Sequence, residues 1–328
     1  IDREDLSPAV RALITNLPAT APASEISFLF AATVLTKSAV SGVYYPRGGF
    51  GAFARTIVEA LKRLGADVHI GDGLKTIEHD GRRVRAAVTD SGERIETEAV
   101  VANYHPQDVL ARLHGPPGPR VEAAEKRAAA FRHSASAFMV YLGLKPDRDW
   151  SDSDFLTTVF ECADADRMYG AIQAGEIPDP AILHIVMPAA LKSHVEAVGA
   201  PSAKIIMPAP YAPFAQAREE GESVYKELKE GLAQRLIERV GSYIPSLRGA
   251  IEFHETATPL TFEQWTGNRF GAIYGLEPVP DQFGPWRWPN AGPLKGLYFA
   301  GHYSRPAHGI VGACFSGRFA AHAVLSDR

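Results

Sequence analysis

The residues best placed to do chemistry lie near the end of the chain. Leu297-Tyr298-Phe299-Ala300 has the character of a buried strand and stops at Gly301-His302. A loop from Tyr303 to His308 comes next, and Gly309-Ile310-Val311-Gly312-Ala313 opens a helix that runs to about Leu325. A strand that hands the chain to a helix N-terminus presents unpaired backbone N–H groups to something electron-rich. Glycines at such a junction let a flat or anionic ligand approach the backbone closely. The arrangement suits the pyrophosphate–ribityl arm and ring of a flavin; the alternative is an ordinary strand–helix pair that completes a sheet. His308 stands at the helix entrance, where the positive dipole end disfavours the imidazolium. It serves either acid–base chemistry or the bonding of the loop Ser304–Ala307. No pair of histidines has helical metal spacing beside a carboxylate, so no metal is expected, and His105 and His254 read as structural.

A chain of 328 residues is long enough for two packed cores, or for one large core with a cap. Hydrophobic residues at 46% and charged residues at 22% are the balance of a soluble globular protein. A net charge of −4, with no basic cluster among aromatics, argues against nucleic acid as a partner. Two cysteines, Cys162 and Cys314, have neither metal-ligand nor redox spacing, and such sparse usage fits a reducing, cytoplasmic compartment, the alternative being a pair in a secreted protein. Cys314 reads as a small core residue. No apolar run is long enough to span a bilayer. Phe28-Leu29-Phe30 belongs either to a buried helix or to an entrance in peripheral contact with a membrane.

Several elements must position these residues. Ser7–Asn16 and Glu25–Lys37 read as helices on either side of the Pro/Ala stretch Leu17–Ala23. Val43–Tyr45 is a short strand stopped by Pro46. Phe53, Ile57, Val58, Leu61 and Leu64 form a helical stripe over Gly51–Leu64 that ends at Gly65, followed by a strand at Ala66–Ile70. Leu74–Glu78 and Val84–Thr89 make a hairpin about Asp80-Gly81, and Ser91-Gly92 turns the chain into Arg94–Thr97. Ala99–Ala102 is a strand of small apolar residues that stops at Asn103. Farther on come a helix at Arg120–Phe131 and strands at Ser136–Leu144, Leu183–Met187 and Ile205–Pro210. One long helix, Glu219–Tyr243, carries Val224, Leu228, Leu232, Leu236 and Val240 at four-residue steps.

Gly49-Phe50-Gly51-Ala52-Phe53-Ala54 matches a dinucleotide-binding fingerprint, with Asp72 near where an acidic ribose ligand would belong. The context does not fit. The fingerprint needs a buried parallel strand running straight into the first glycine, but Pro46 and Arg47 intervene. The segment after Ile70 is a meander of hairpins and not a second crossover.

Three segments taken in order carry a resemblance. They are Tyr45-Pro46-Arg47-Gly48-Gly49 with the meander to Asn103, then Thr258-Pro259-Leu260-Thr261-Phe262 leading to Gly267–Gly275, and finally Gly296–Gly317. Their order and spacing resemble the C-terminal two-thirds of the phytoene desaturase, carotenoid isomerase and retinol saturase group of FAD-dependent oxidoreductases, relatives of the flavin amine oxidases. The resemblance implies FAD as cofactor. It places Gly301-His302 at the turn beside the pyrophosphate and ribityl chain, His302 standing where relatives often carry an acidic residue or alanine. Gly309, Ile310, Val311 and Gly312 then open the helix under the ring. Leu74 holds the adenine through backbone atoms, Gly48 and Gly49 approach the flavin closely, and Gly271 to Tyr274 is a glycine–aromatic strand over the cofactor. Arg47, Tyr274 and His308 are the implied catalytic candidates.

The implied fold is α/β (α+β), the C-terminal portion of a two-domain FAD-binding oxidoreductase. Residues 1–42 form a helical part of the cap, 43–105 and 290–328 part of the FAD-binding domain, and 106–289 a mixed sheet-and-helix substrate-binding domain. Relatives open with a βαβ unit whose glycine-rich turn binds the ADP half of FAD, and this sequence begins where they are already in the cap. The expectation is therefore a fragment, one half of a split enzyme completed by another chain, or a protein that has lost the cofactor. The implied function is a desaturase, saturase or isomerase acting by hydride transfer on a hydrophobic, polyene-like small molecule. The alternatives are a non-catalytic subunit completing a separate flavin-binding chain, and an amine-oxidase-like enzyme with Tyr274, Tyr303 and Trp265 as part of an aromatic cage.

Overall fold

The computed structural model describes Ser7, Val10, Leu13, Ile14 and residues 20–151, 154–162 and 164–327. Most of the expected helix Ser7–Asn16 lies outside the described residues. In chain order the elements begin with α1 (Phe28–Ser41), α2 (Gly49–Arg63), β1 (Leu74–His79), β2 (Val84–Thr89), β3 (Arg94–Glu96) and β4 (Val100–Ala102). Next are α3 (Pro106–Leu110), β5 (Leu113–His114), α4 (Pro119–Ala129), β6 (Ser136–Leu144), β7 (Leu156–Phe160), α5 (Ala165–Gln173) and β8 (Ile182–Val186). The remainder are α6 (Lys192–Val198), β9 (Ser202–Ala209), α7 (Ala212–Glu220), α8 (Glu222–Tyr243), β10 (Ile251–Ala257), α9 (Pro259–Thr266), β11 (Leu297–Phe299) and α10 (Gly309–Ser326). The chain divides into two compact units, a first of residues 1–24, 33–68 and 135–266 and a second of residues 25–32, 69–134 and 267–328.

The first unit is built on an antiparallel five-stranded sheet in the order β10-β6-β9-β8-β7. Period-two alternation sends Phe138, Val140 and Leu142 of β6 and Ala203, Ile205 and Met207 of β9 to one face. That face packs on Phe214 of α7 and on Leu232, Ala233, Leu236 and Val240 of α8. Phe138 and Phe214 stack with centroids 5.8 Å apart. The single helix expected over Glu219–Tyr243 is broken: Gly221 has φ +145°, a conformation L side chains rarely adopt, and it separates α7 from α8.

Three further expectations change. Val43–Tyr45 and Ala66–Ile70 are not strands, since neither finds a neighbouring strand among the described residues to complete a ladder. The helix α2 forms as its periodicity predicts, but its stripe stays open: Phe53, Ile57 and Leu61 are exposed and Leu64 is 85% exposed. Cys314 is exposed on α10, whereas Cys162 is buried.

The second unit holds a four-stranded sheet, β3-β2-β1-β5, and a parallel pair, β11-β4. Ile77, Val84, Ala102, Leu110, Trp288, Leu297 and Phe299 form its core. The hairpin expected about Asp80-Gly81 is present, with β1 and β2 antiparallel. Asp72 accepts from the backbone N–H of Ser91 at 2.9 Å and its hydroxyl at 2.8 Å, so it caps a turn of the meander. That contact is the work of a structural turn residue, in keeping with the rejected dinucleotide fingerprint.

The α8 stripe has a graded burial that stability should follow. Leu236 is wholly buried while Val224 is 37% exposed. Leu236→Ala is expected to cost about 2–5 kcal/mol in urea unfolding followed by circular dichroism, and Val224→Ala under about 1 kcal/mol. Equal losses would show that α8 does not pack as described.

Candidate functional site

The candidate site is built where the two parallel strands of the second unit end. β4 and β11 run in register, with Val100 opposite Leu297, Val101 opposite Tyr298 and Ala102 opposite Phe299. Ala300 N–H then donates to Ala102 O at 3.0 Å, and the next residues along the two chains are Asn103 and Gly301. The carboxyl ends of parallel strands are where open α/β sheets bind ligands. Gly301 has φ +90°, and a Cβ on it would overlap Oδ1 of Asn103. Only glycine fits there.

The loop after Gly301 is tied to the helix it feeds. Ser304 Oγ lies 2.7 Å from Ser316 Oγ, and both residues are wholly buried. Asn290 Nδ2 donates to Phe299 O at 3.0 Å and to Ser316 Oγ at 3.1 Å, while Phe299 N–H donates to Asn290 O at 2.8 Å. These bonds fix where α10 begins. Its first residue, Gly309, has φ +77° with open space where a Cβ would stand, and no side chain caps the helix. The first-turn N–H groups have no intrahelical acceptor and point out of the helix end. Ile310 and Val311 are 46% and 70% exposed, so the flank of that end is open too.

A buried guanidinium organises the opposite side of the loop. Arg287 is 0% exposed and donates from Nε to His302 O at 2.8 Å, from Nη2 to the same carbonyl, and more weakly to Tyr274 O and Gln282 O. It uses three backbone carbonyls as its acceptors, and burial pulls its pKa down to about 9. The segment Gly267–Gly275 that supplies Tyr274 is not the strand the resemblance implies. Gly267, Phe270, Gly271 and Gly275 all have positive φ, and Arg269–Gly271 is a 3-10 turn. Phe270, at φ +57°, is held in a left-handed conformation that non-glycine residues seldom take.

Four imidazoles collect in this unit. His308 packs on Tyr274 at 4.8 Å and on Phe30 at 4.9 Å between ring centroids; His302 packs on Tyr303 at 4.3 Å. His105 packs on Tyr303 and on His133, each at 4.9 Å. Burial drives the pKa of His308 to about 3 and those of His302 and His105 to about 4; His133 is lowered for the same reason. The Arg287 charge adds to the depression at His302 and His308. His308 Nδ1, His302 Nε2, His105 Nε2 and His133 Nδ1 are buried without a hydrogen-bond partner. His105 also caps α3 by accepting from Gln107 N–H at 3.2 Å, in line with a structural role. Tyr303 donates to Asn268 at 3.1 Å, and burial raises both its phenol and that of Tyr274.

The second unit thus brings together Gly271, Tyr274, Gly301, His302, His308, Gly309, Ile310, Val311 and Gly312. Leu74 is in the same unit but begins β1, where its carbonyl accepts from Arg112 Nε at 3.0 Å. Arg47, Gly48 and Gly49 belong to the first unit. There Gly48, at φ +77°, precedes α2, and Gly49 lies against His194, where a Cβ would meet Cε1 at 3.3 Å. Arg47 is exposed. Trp265 is also in the first unit and 81% exposed. Sequence reasoning missed Arg287, Asn290, Asn268 and Ser316. Each works through backbone carbonyls or a short polar contact far away in sequence, which leaves no local pattern to read. No group of histidine, cysteine or carboxylate residues suited to a metal occurs among the described residues.

The residues present fit the ring and ribityl portion of a flavin. The fit rests on the side-chain-free approach at Gly301 beside Asn103 and on the uncapped, glycine-opened end of α10.

Comparison with known proteins agrees with this geometry. The family model described as flavin containing amine oxidoreductase matches residues 6–325. A phytoene dehydrogenase of Streptomyces griseus is 28% identical over 302 residues, covering 90% of this chain and 56% of that protein. A chloroplastic prolycopene isomerase of Arabidopsis thaliana is 26% identical, covering 94% of this chain and 50% of that protein. The chain therefore spans about half the length of the curated relatives it matches. An oxidoreductase of Methanosarcina mazei shares the fold with a TM-score of 0.60 at 12% identity, over 99% of this chain and 65% of that one.

The neutral imidazoles set a pH dependence. Each is deprotonated when folded and regains an ordinary pKa near 6.5 when unfolded, so the unfolded chain binds more protons below that value. The stabilisation is complete above pH 6.5 and is lost as pH falls toward 4. Urea unfolding should show a steep loss between pH 6.5 and pH 4, and His308→Asn should reduce the slope; a flat profile for the parent chain contradicts the burial. Separately, Gly301→Ala should cost about 1–3 kcal/mol by combining a strained φ with the Asn103 overlap, measurable as a lowered Tm.

Proposed function

The chain belongs to the flavin containing amine oxidoreductase family, and on that premise we propose that it forms part of an FAD-dependent desaturase, saturase or isomerase of a hydrophobic, polyene-like substrate. The observation that carries the reading is the Asn103–Gly301 approach at the strand ends beside the uncapped start of α10. Gly301 and His302 would lie along the ribityl arm, and the N–H groups of Gly309 to Gly312 would face the ring, where a helix N-terminus favours negative charge. When bound, the flavin supplies acceptance of a hydride, chemistry no side chain of this fold provides. The relatives named as desaturases and an isomerase of carotenoids support the substrate class.

The chain's own groups suit a substrate with almost nothing to protonate. His308 with a pKa of about 3 is an unprotonated acceptor at neutral pH, so it positions and does not act as a cationic acid. Tyr274, raised by burial, stays a neutral phenol. Arg287 holds His302 and Tyr274 by their carbonyls and brings a fixed positive charge close to both.

A second reading has its own observation. Phe53, Ile57 and Leu61 on α2, and Ile310, Val311, Phe315 and Phe319 on α10, leave two apolar helix faces exposed. They fit contact with a further flavin-binding portion, carried in the same polypeptide or in a second chain.

Purified protein should carry visible flavin absorbance and convert a polyene to a product with a shifted absorption maximum on chromatography. Peroxide release with amines but not polyenes would sink the desaturase reading in favour of an amine oxidase. Flavin-free protein that co-purifies with a glycine-rich chain would favour the complementing role. Ile310→Asp offers a sharper check: an acidic residue in the first turn of α10 suits the helix, so folding survives, yet flavin affinity should fall about tenfold.

A further inference from the structure

The first unit contains a cavity of about 390 Å³ on the side of its sheet turned away from α7 and α8. β6 and β9 pair there with Tyr141 opposite Lys204 and Gly143 opposite Ser202. Alternation buries Val140, Leu142, Ala203 and Ile205 in the core and leaves Tyr141 and Lys204 on the open face. Phe253 of β10 lies over Gly143, where a Cβ would overlap its ring. Tyr45 closes the cavity from the Tyr45–Gly49 segment, held by ring contacts with Phe155 and His194 at 5.3 Å.

Within these mostly apolar walls Lys204 is the cation. No ion pair holds it among the described residues, and Glu252, exposed in the same wall, does not pair with it. Burial alone lowers the Lys204 pKa, and burial raises the phenols of Tyr45 and Tyr141, so the charged form of each loses part of its hydration here. A pure hydrocarbon filling the cavity would strip water from an ammonium and return nothing, a costly arrangement. A carboxylate would return a charge-assisted hydrogen bond. Tyr141 supplies a second donor, since its hydroxyl now faces Met139 Sδ at 3.4 Å, a weak acceptor that a carboxylate oxygen displaces.

We infer that Lys204, with Tyr141 opposite it, binds the carboxylate end of an otherwise apolar, polyene-like substrate in this cavity. The substrate part of this inference rests on the proposed function, whereas the anion contact belongs to the first unit alone. Glu252 in the wall favours a single negative charge over a phosphate dianion.

The test is equilibrium binding of cis-parinaric acid, a fluorescent conjugated polyene acid, against its methyl ester, using the whole protein. The acid is expected to bind at least tenfold more tightly than the ester. Lys204→Met should remove the difference and Lys204→Arg should keep it. Equal binding of acid and ester to the parent protein, or a preference that survives in a folded Lys204→Met variant, overturns the inference. If Lys204→Met fails to fold, the acid–ester comparison on the parent decides. Acid that binds in a Lys204-dependent way without any flavin-linked turnover would count against the proposed reaction while leaving the anion site standing.

Discussion

A guanidinium taken wholly out of water needs acceptors, and in the second unit Arg287 finds them in the carbonyls of Tyr274, Gln282 and His302. Those three residues come from stretches with little regular structure, whose backbone groups would otherwise lack ladder partners. One side chain therefore stands in for a missing strand. It fixes the Gly267–Gly275 segment against the Gly301–His308 loop, and with them the two aromatic–imidazole contacts beside the start of α10. Its charge also explains why His302 and His308 stay neutral together, since an imidazolium beside Arg287 would face both desolvation and repulsion.

Much of the scaffold was legible in the sequence because its elements obey simple periods. The Asp80-Gly81 hairpin, β6 and the terminal β11–α10 unit announce themselves through turn residues, alternation and a glycine-opened apolar run. The lost boundaries have physical causes. Gly221 looks tolerable inside a helical stripe until its φ is known, and Tyr45 and Ile70 have strand-like neighbours but no partner strand. The stripe of α2 predicted a helix correctly, yet its apolar face lies open, because period reports which face is apolar and says nothing of what covers it.

The site was legible in a different proportion. Glycines marked the approach at Gly301 and Gly309, since a positive φ or a close contact leaves only one residue type. The groups that hold those glycines in place left no trace: Asn290 reaches Ser316 across 26 residues, and Arg287 reaches carbonyls on both sides of itself. A polar side chain serving distant backbone has no preferred spacing. The neutral imidazoles were partly foreseen at His308 from the helix dipole, but burial by aromatic rings is the larger cause and depends on the tertiary structure.

The two cysteines have opposite surroundings. Cys162 is buried, its thiol donating to Asp164 O at 3.1 Å, while Cys314 lies exposed on α10, next to Phe315 and two positions after Gly312. The chain thus has a built-in reporter of the surface that flanks its candidate site. The rate at which a bulky thiol reagent labels Cys314 measures how open α10 is, without any engineered residue, and a ligand or partner that covers this flank would register as protection.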